Sequence, residues 1–92
     1  MKLNKELFKK LNILYVENDG KIKESFSDIL NKLFNKVFLC SDGLDALDKF
    51  TQLNDTSEKI DVILSEYSVS SLNGLELLFK IRDINKNVPF IF

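Results

Sequence analysis

The chain has 92 residues, enough for a single domain with a small core. Its 13 basic and 14 acidic residues nearly cancel, which argues against nucleic-acid binding, and its apolar runs are far too short to span a bilayer. With no histidine and one cysteine it has no His-based acid–base catalyst, phosphohistidine donor, internal disulfide or zinc site.

Residues 1–12, MKLNKELFKKLN, carry dispersed lysines and no continuous apolar stretch, so they are not a secretory signal. Leu3, Leu7, Phe8 and Leu11 fall at helical spacing and predict a short amphipathic helix over 3–10. Asn12–Val16 reads as a strand closed by the turn Glu17-Asn18-Asp19-Gly20. Ile22, Phe26, Ile29, Leu30 and Leu33 then recur along one face of a helix. Val37–Cys40 is a second strand, and Cys40 within it reads as a small buried hydrophobe in a reducing, cytoplasmic compartment.

Ser41-Asp42-Gly43 reads as a turn and helix start, and Leu44, Leu47 and Phe50 mark the helix, which reaches toward Leu53. A polar loop over 54–59 leads to a third apolar run, Ile60–Leu64, which ends at Ser65 and Glu66. Asn73 caps a further helix marked by Leu75, Leu78, Phe79 and Arg82, and Val88–Phe92 is the fourth strand. Strands alternating with helices predict right-handed βαβ units and a parallel sheet buried on both faces. In such sheets the site lies beyond the carboxyl ends of the strands. Glu17, Asn18 and Asp19 should therefore meet Glu66 at one edge.

Four stretches in order, Ile13–Asp19, Ser41–Ala46, Asp61–Glu66 and Asn73–Leu77, together with Val88–Phe92, make the chain resemble bacterial response regulator receiver domains over residues 12–92. The resemblance implies an α/β, flavodoxin-like, doubly wound parallel sheet of strand order 2-1-3-4, with strand 5 absent. Residues 1–11 are then an N-terminal helical extension, and 12–92 a receiver lacking its last strand and helices. The resemblance also implies that the residue at the end of strand 3 accepts a phosphoryl group from a kinase histidine. Mg²⁺ would be held there by Glu17, Asn18, Glu66 and the backbone carbonyl of Ser68, with Asp19, Tyr67, Val69, Asn73 and Gly74 flanking the site.

Two of these positions depart from the family pattern. Glu66 stands where the family has aspartate, which moves the carboxylate by roughly 1 Å in a reaction that depends on in-line geometry. Asn18 replaces a metal-ligating carboxylate by an amide and removes a charge beside the ion. Val69 and Ser70 stand where Met-Pro or similar is common. The expected function is therefore that of a non-enzymatic pseudo-receiver of a two-component phosphorelay, with at most weakened Mg²⁺ binding and no certain cofactor. Its expected partner is a sensor histidine kinase or another signalling protein, with no nucleic acid and no membrane.

Two alternatives are a phosphorylation-competent receiver with Mg²⁺ near Glu17 and Glu66, and an unrelated small nucleotide-binding α/β module. The second is disfavoured because the turn after strand 1 has one glycine and several acids, a poor phosphate cradle. The glutamate also allows a phosphomimic reading, in which its longer arm fills part of a phosphoryl group's space. Without a last helix, the sheet face over strands 3 and 4 and the edge at Phe90-Ile91-Phe92 stand bare. Either the chain continues, or two chains form a homodimer through strand 4 or through the uncovered face.

Overall fold

A computed structural model describes residues 5–68 and 71–92. The elements run α1 (Lys5–Phe8), β1 (Asn12–Val16), α2 (Gly20–Leu33), β2 (Lys36–Cys40), α3 (Gly43–Leu53), β3 (Val62–Ser65), α4 (Gly74–Ile84) and β4 (Phe90–Ile91). The four strands are parallel in the order β2-β1-β3-β4. This is the expected flavodoxin-like order, with Ile13 beside both Val37 and Val62.

Each of the three long helices starts where a side chain accepts otherwise unpaired backbone N–H groups. Asp19 accepts from Lys21 N at 2.9 Å and Ile22 N at 3.0 Å. Asp42 accepts from Asp45 N, and Asn73 from Glu76 N, each at 2.9 Å. The helices then cover the sheet from opposite sides. α3 and α4 bury Ala46, Phe50, Leu77 and Ile81 against Leu14, Val16 and Ile63. On the other face, α2 buries Leu30 against Ile13 and Tyr15. Complete burial of side chains such as Phe50, Leu77 and Ile81 contributes roughly 1.5–3 kcal/mol each.

Four sequence expectations need correction. The third strand begins at Val62 rather than Ile60 and extends through Ser65, which pairs with Val16. Before it, the Asp61 carboxylate takes the Asn12 N–H at 2.8 Å, so a side chain replaces a regular ladder partner. The fourth strand is Phe90–Ile91 rather than 88–92. Val88 is buried, but its N–H donates to Asn85 Oδ1 at 3.0 Å, and Pro89 has no N–H to give the ladder.

The described part of the first helix is one turn, Lys5–Phe8, closed by tight bonds from Lys10 N to Leu7 O and from Leu11 N to Phe8 O, both 3.0 Å. Leu3, where that helix was expected to begin, lies outside the described residues. Phe8 stacks on Phe34 at 5.4 Å, so the turn packs against the end of α2. Finally, the apolar face of α2 splits. Leu30 is buried, whereas Ile22, Phe26 and Ile29 are about half exposed.

Candidate functional site

Two backbone bonds carry the sheet ladder one step past the strands and place the acids. Glu17 N donates to Cys40 O at 3.0 Å, and Glu66 N donates to Val16 O at 3.1 Å. Both residues therefore emerge at the carboxyl ends of neighbouring strands. Side chains alternate along β1, so Glu17 projects to the same side as Tyr15. Glu17 is only 3% exposed. Its Oε2 accepts from Asp19 N at 3.2 Å, and its Oε1 lies 3.5 Å from the Tyr15 hydroxyl.

Glu66 is half-buried and closes the arrangement. It shares with Glu17 an open cleft of about 180 Å³ walled by Tyr15, Phe26, Leu64 and Phe92. A hydrogen bond to the Glu17 carboxyl, helped by desolvation and by the charges of Glu17 and Asp19, holds the Glu66 carboxyl above its ordinary range. The Tyr15 hydroxyl is pushed up to about 12 by burial and by Glu17. Lys23, from the first turn of α2, donates instead to Ser41 Oγ. The ion pair found among the described residues, Lys36–Glu58 at 2.8 Å, lies away from the cleft.

The loop after β3 is tied down from two sides. Gly74 N donates to Tyr67 O at 2.8 Å, and a Cβ on Gly74 would lie 2.6 Å from the Phe92 ring and 2.8 Å from Glu66 O. Only a glycine lets α4 start this close to the acid. On the other side Ser71, at φ 66°, donates to Asp42 Oδ1 at 3.0 Å and accepts from Leu44 N at 3.2 Å.

The expected residues therefore divide. Glu17 and Glu66 come together. Asn18 is exposed, and Asp19 is committed to capping α2. Tyr67 is exposed and its ring meets Phe92 at 5.6 Å, while Ser68 is exposed in the loop. Asn73 and Gly74 act through the start of α4, and Val69 lies outside the described residues. Sequence reading missed Tyr15, Phe26 and Phe92 as cleft walls. Tyr15 was legible in principle, since it stands two residues before Glu17 on the same strand.

The sequence signature of the response regulator receiver domain matches residues 13–92. The chain belongs to this family. The receiver is 35% identical over 83 residues to the two-component response regulator-like protein APRR9 of Arabidopsis thaliana, covering 88% of this chain and 17% of that protein. It is 28% identical over 79 residues to sporulation initiation phosphotransferase F of Bacillus subtilis, covering 86% of this chain and 60% of that one. Among solved structures, it is similar to the N-terminal domain of an uncharacterized protein of Wolinella succinogenes. That match has a TM-score of 0.73 and 31% identity, over 88% of this chain and 60% of the other.

Membership makes the receiver a signalling module of two-component systems, and it sets aside the unrelated nucleotide-binding module. The family implies a divalent cation at the strand ends. The donor set here fits a hydrated cation held by few protein charges. Glu17 and Glu66 line one cleft, and their mutual repulsion, which raises the Glu66 carboxyl, is what a cation would relieve. Among the described residues no group of three or more Asp, Glu, His or Cys side chains converges. One or two carboxylates, completed by water and phosphate oxygens, is an arrangement Mg²⁺ accepts.

Proposed function

We propose that this receiver acts through protein–protein contacts, with little or no phosphotransfer at Glu66. The observation that supports this reading is that the acceptor-position Glu66 shares its cleft with Glu17. The neighbouring carboxyl raises Glu66 above its ordinary range, and the extra methylene of glutamate displaces its oxygens from in-line geometry. Asn18 supplies no carboxylate to hold the Mg²⁺ that would offset the phosphoryl oxygens. The plant relatives are named as response regulator-like proteins, which accords with this reading. The module is then not an enzyme. Its partners are a sensor histidine kinase or another signalling protein and a second copy of itself, in the cytoplasm, without nucleic acid. Among the described residues no helix is long and apolar enough to cross a membrane.

A second reading, a competent receiver, is favoured by the meeting of two carboxyls in one cleft and by the phosphotransferase name of the Bacillus relative. In that case Glu17, Asn18, Glu66 and the Ser68 carbonyl would hold Mg²⁺, which neutralises charge on a transferring phosphoryl group. The two readings part in one experiment. The protein is incubated with Mg²⁺ and a small acyl-phosphate donor, and its intact mass is measured. The unchanged mass is expected. A phosphoryl adduct that disappears in Glu66→Gln would establish the second reading.

A further inference from the structure

Each of the three glycines in the sequence follows a residue that caps a helix, giving Asp19-Gly20, Asp42-Gly43 and Asn73-Gly74. Asn73-Gly74 stands apart, because no other asparagine in the sequence precedes a glycine. An asparagine so placed can react with its own backbone. The nitrogen of the next peptide unit attacks Cγ, and glycine, with no side chain, leaves that approach open. Here the glycine is dictated by the fold, since a Cβ at position 74 would lie 2.8 Å from Glu66 O. The close seating of α4 on the residue in the acceptor position thus places a chemically labile peptide link beside it.

The same seating holds the chemistry off. The Gly74 N–H donates to Tyr67 O at 2.8 Å, so the attacking nitrogen is occupied. Asn73 Oδ1 accepts from Glu76 N at 2.9 Å, and Asn73 O accepts from Leu77 N at 2.9 Å, so side chain and carbonyl are both fixed on α4. Asn73 itself is exposed to water. We propose that Asn73-Gly74 is a self-modification site of the receiver, held in check by the seating of α4 on Tyr67. When the start of α4 lifts, Gly74 N gives up its proton and bonds to Asn73 Cγ. The Cγ–Nδ2 bond breaks, and the amide leaves with that proton as ammonia. Water then opens the cyclic imide at either carbonyl, giving aspartate or isoaspartate.

The two products differ in effect. Aspartate keeps the capping oxygen and places an anion at a helix N-terminus, which is favourable. Isoaspartate routes the main chain through the former side chain and lengthens it just before Gly74. Gly74 is already held against Tyr67 O and Glu66 O, so the longer link pushes α4 away from the segment that carries Glu66. The site stands whether or not Glu66 takes a phosphoryl group, so the acyl-phosphate experiment above and the one below fail separately.

The 92-residue protein is aged in warm, mildly alkaline buffer, native and in unfolding urea, and its peptides are weighed. In urea the peptide holding Asn73 is expected to gain the mass that replacing NH₂ by OH brings. In the native protein the gain should be slower by roughly tenfold or more, as for a site reached only by local opening. Ser71→Ala removes the bonds to Asp42 and Leu44 N that tie down the chain just before Asn73. It is expected to raise the native rate roughly fivefold and to leave the urea rate unchanged. The isoaspartate form, separated by chromatography, should melt below Asn73→Asp, which carries the same charge on an ordinary backbone. No conversion in urea would overturn the site, and equal native and unfolded rates would overturn its restraint by the fold. An isoaspartate form as stable as Asn73→Asp would overturn the displacement of α4. Should Ser71→Ala fail to fold, the native rate across sub-denaturing urea takes its place. That rate must climb with urea, and a flat one overturns the proposal.

Discussion

Glu66 and Glu17 line one cleft just beyond the carboxyl ends of neighbouring parallel strands, and the Glu17 carboxyl holds that of Glu66 above its ordinary range. The folded chain therefore holds the Glu66 proton more tightly than the unfolded chain does. That contribution is fully present in acid, below the usual carboxylate range, and is lost as pH rises through the raised folded value. Glu66→Gln cannot ionise and should escape the loss. The wild-type melting temperature should thus fall relative to Glu66→Gln between acid and neutral pH. Glu66 is partly open to solvent, so the effect stays below about 1 kcal/mol. A difference between the two proteins that does not change with pH would contradict the raised Glu66 titration.

The glycines predict a graded series. A Cβ on Gly43 would lie 2.0 Å from the carbonyl oxygen of Leu72 and 2.7 Å from its Cβ. Neither atom is the end of a flexible side chain. Gly43→Ala should therefore cost about 3 kcal/mol or more, the upper end for overpacking. Gly74→Ala meets a movable ring as well as backbone and should cost less, about 1–3 kcal/mol. Nothing lies within 4 Å of a Cβ on Gly20, in the first turn of α2, so Gly20→Ala should be neutral or gain up to about 1 kcal/mol. Urea unfolding of the three variants gives the order directly.

Cys40 should be silent while the chain is folded. It is 6% exposed, and burial pushes its thiol up to about 11. Because the thiolate is the reactive form, an alkylating reagent at mildly alkaline pH should label it only after denaturant is added. Labelling of the native protein at the rate of a free thiol would mean that the end of β2 opens.

Leu77 and Phe79 test the two sides of α4. Leu77 is fully buried, and Leu77→Ala should cost about 2–5 kcal/mol through lost contacts and a residual cavity. Phe79 is 63% exposed, and Phe79→Ala should change stability by no more than about 0.5 kcal/mol. Equal losses in thermal denaturation would mean that α4 sits on the sheet in a different rotation.

The sequence made the strands legible because β1, β2 and β3 are continuous apolar runs, as a sheet covered on both faces requires, whereas their order followed from the resemblance to receiver domains. It also made Glu17 and Glu66 legible as neighbours, since both follow strand ends. What it hid depends on partners distant in sequence. Asp61 ends the ladder early by binding Asn12, 49 residues away. Asn85 draws in the Val88 N–H and shortens β4. Helical spacing united Leu30 with Ile22, Phe26 and Ile29, but spacing cannot say where the sheet's cover stops. That boundary turns one apparent core face into a core residue and an open stripe, and it supplies the aromatic wall of the cleft.

At the opposite end of the sheet from the acids, every hydrogen-bonding group of Asn12 is in use. Its N–H goes to the Asp61 carboxylate at 2.8 Å, and its carbonyl takes the Asp61 N–H at 2.8 Å. Its side chain donates to Lys59 O at 3.0 Å and accepts from Asn35 at 2.9 Å. This set acts as a gauge stop. Sliding β3 along β1 by one residue would break it, and would also turn the side chains of β3 to the wrong face. The height at which Glu66 meets Glu17 is therefore fixed from the far end of both strands. A change at Asn12, remote from any chemistry, would detune the acid pair by misaligning it rather than by touching it.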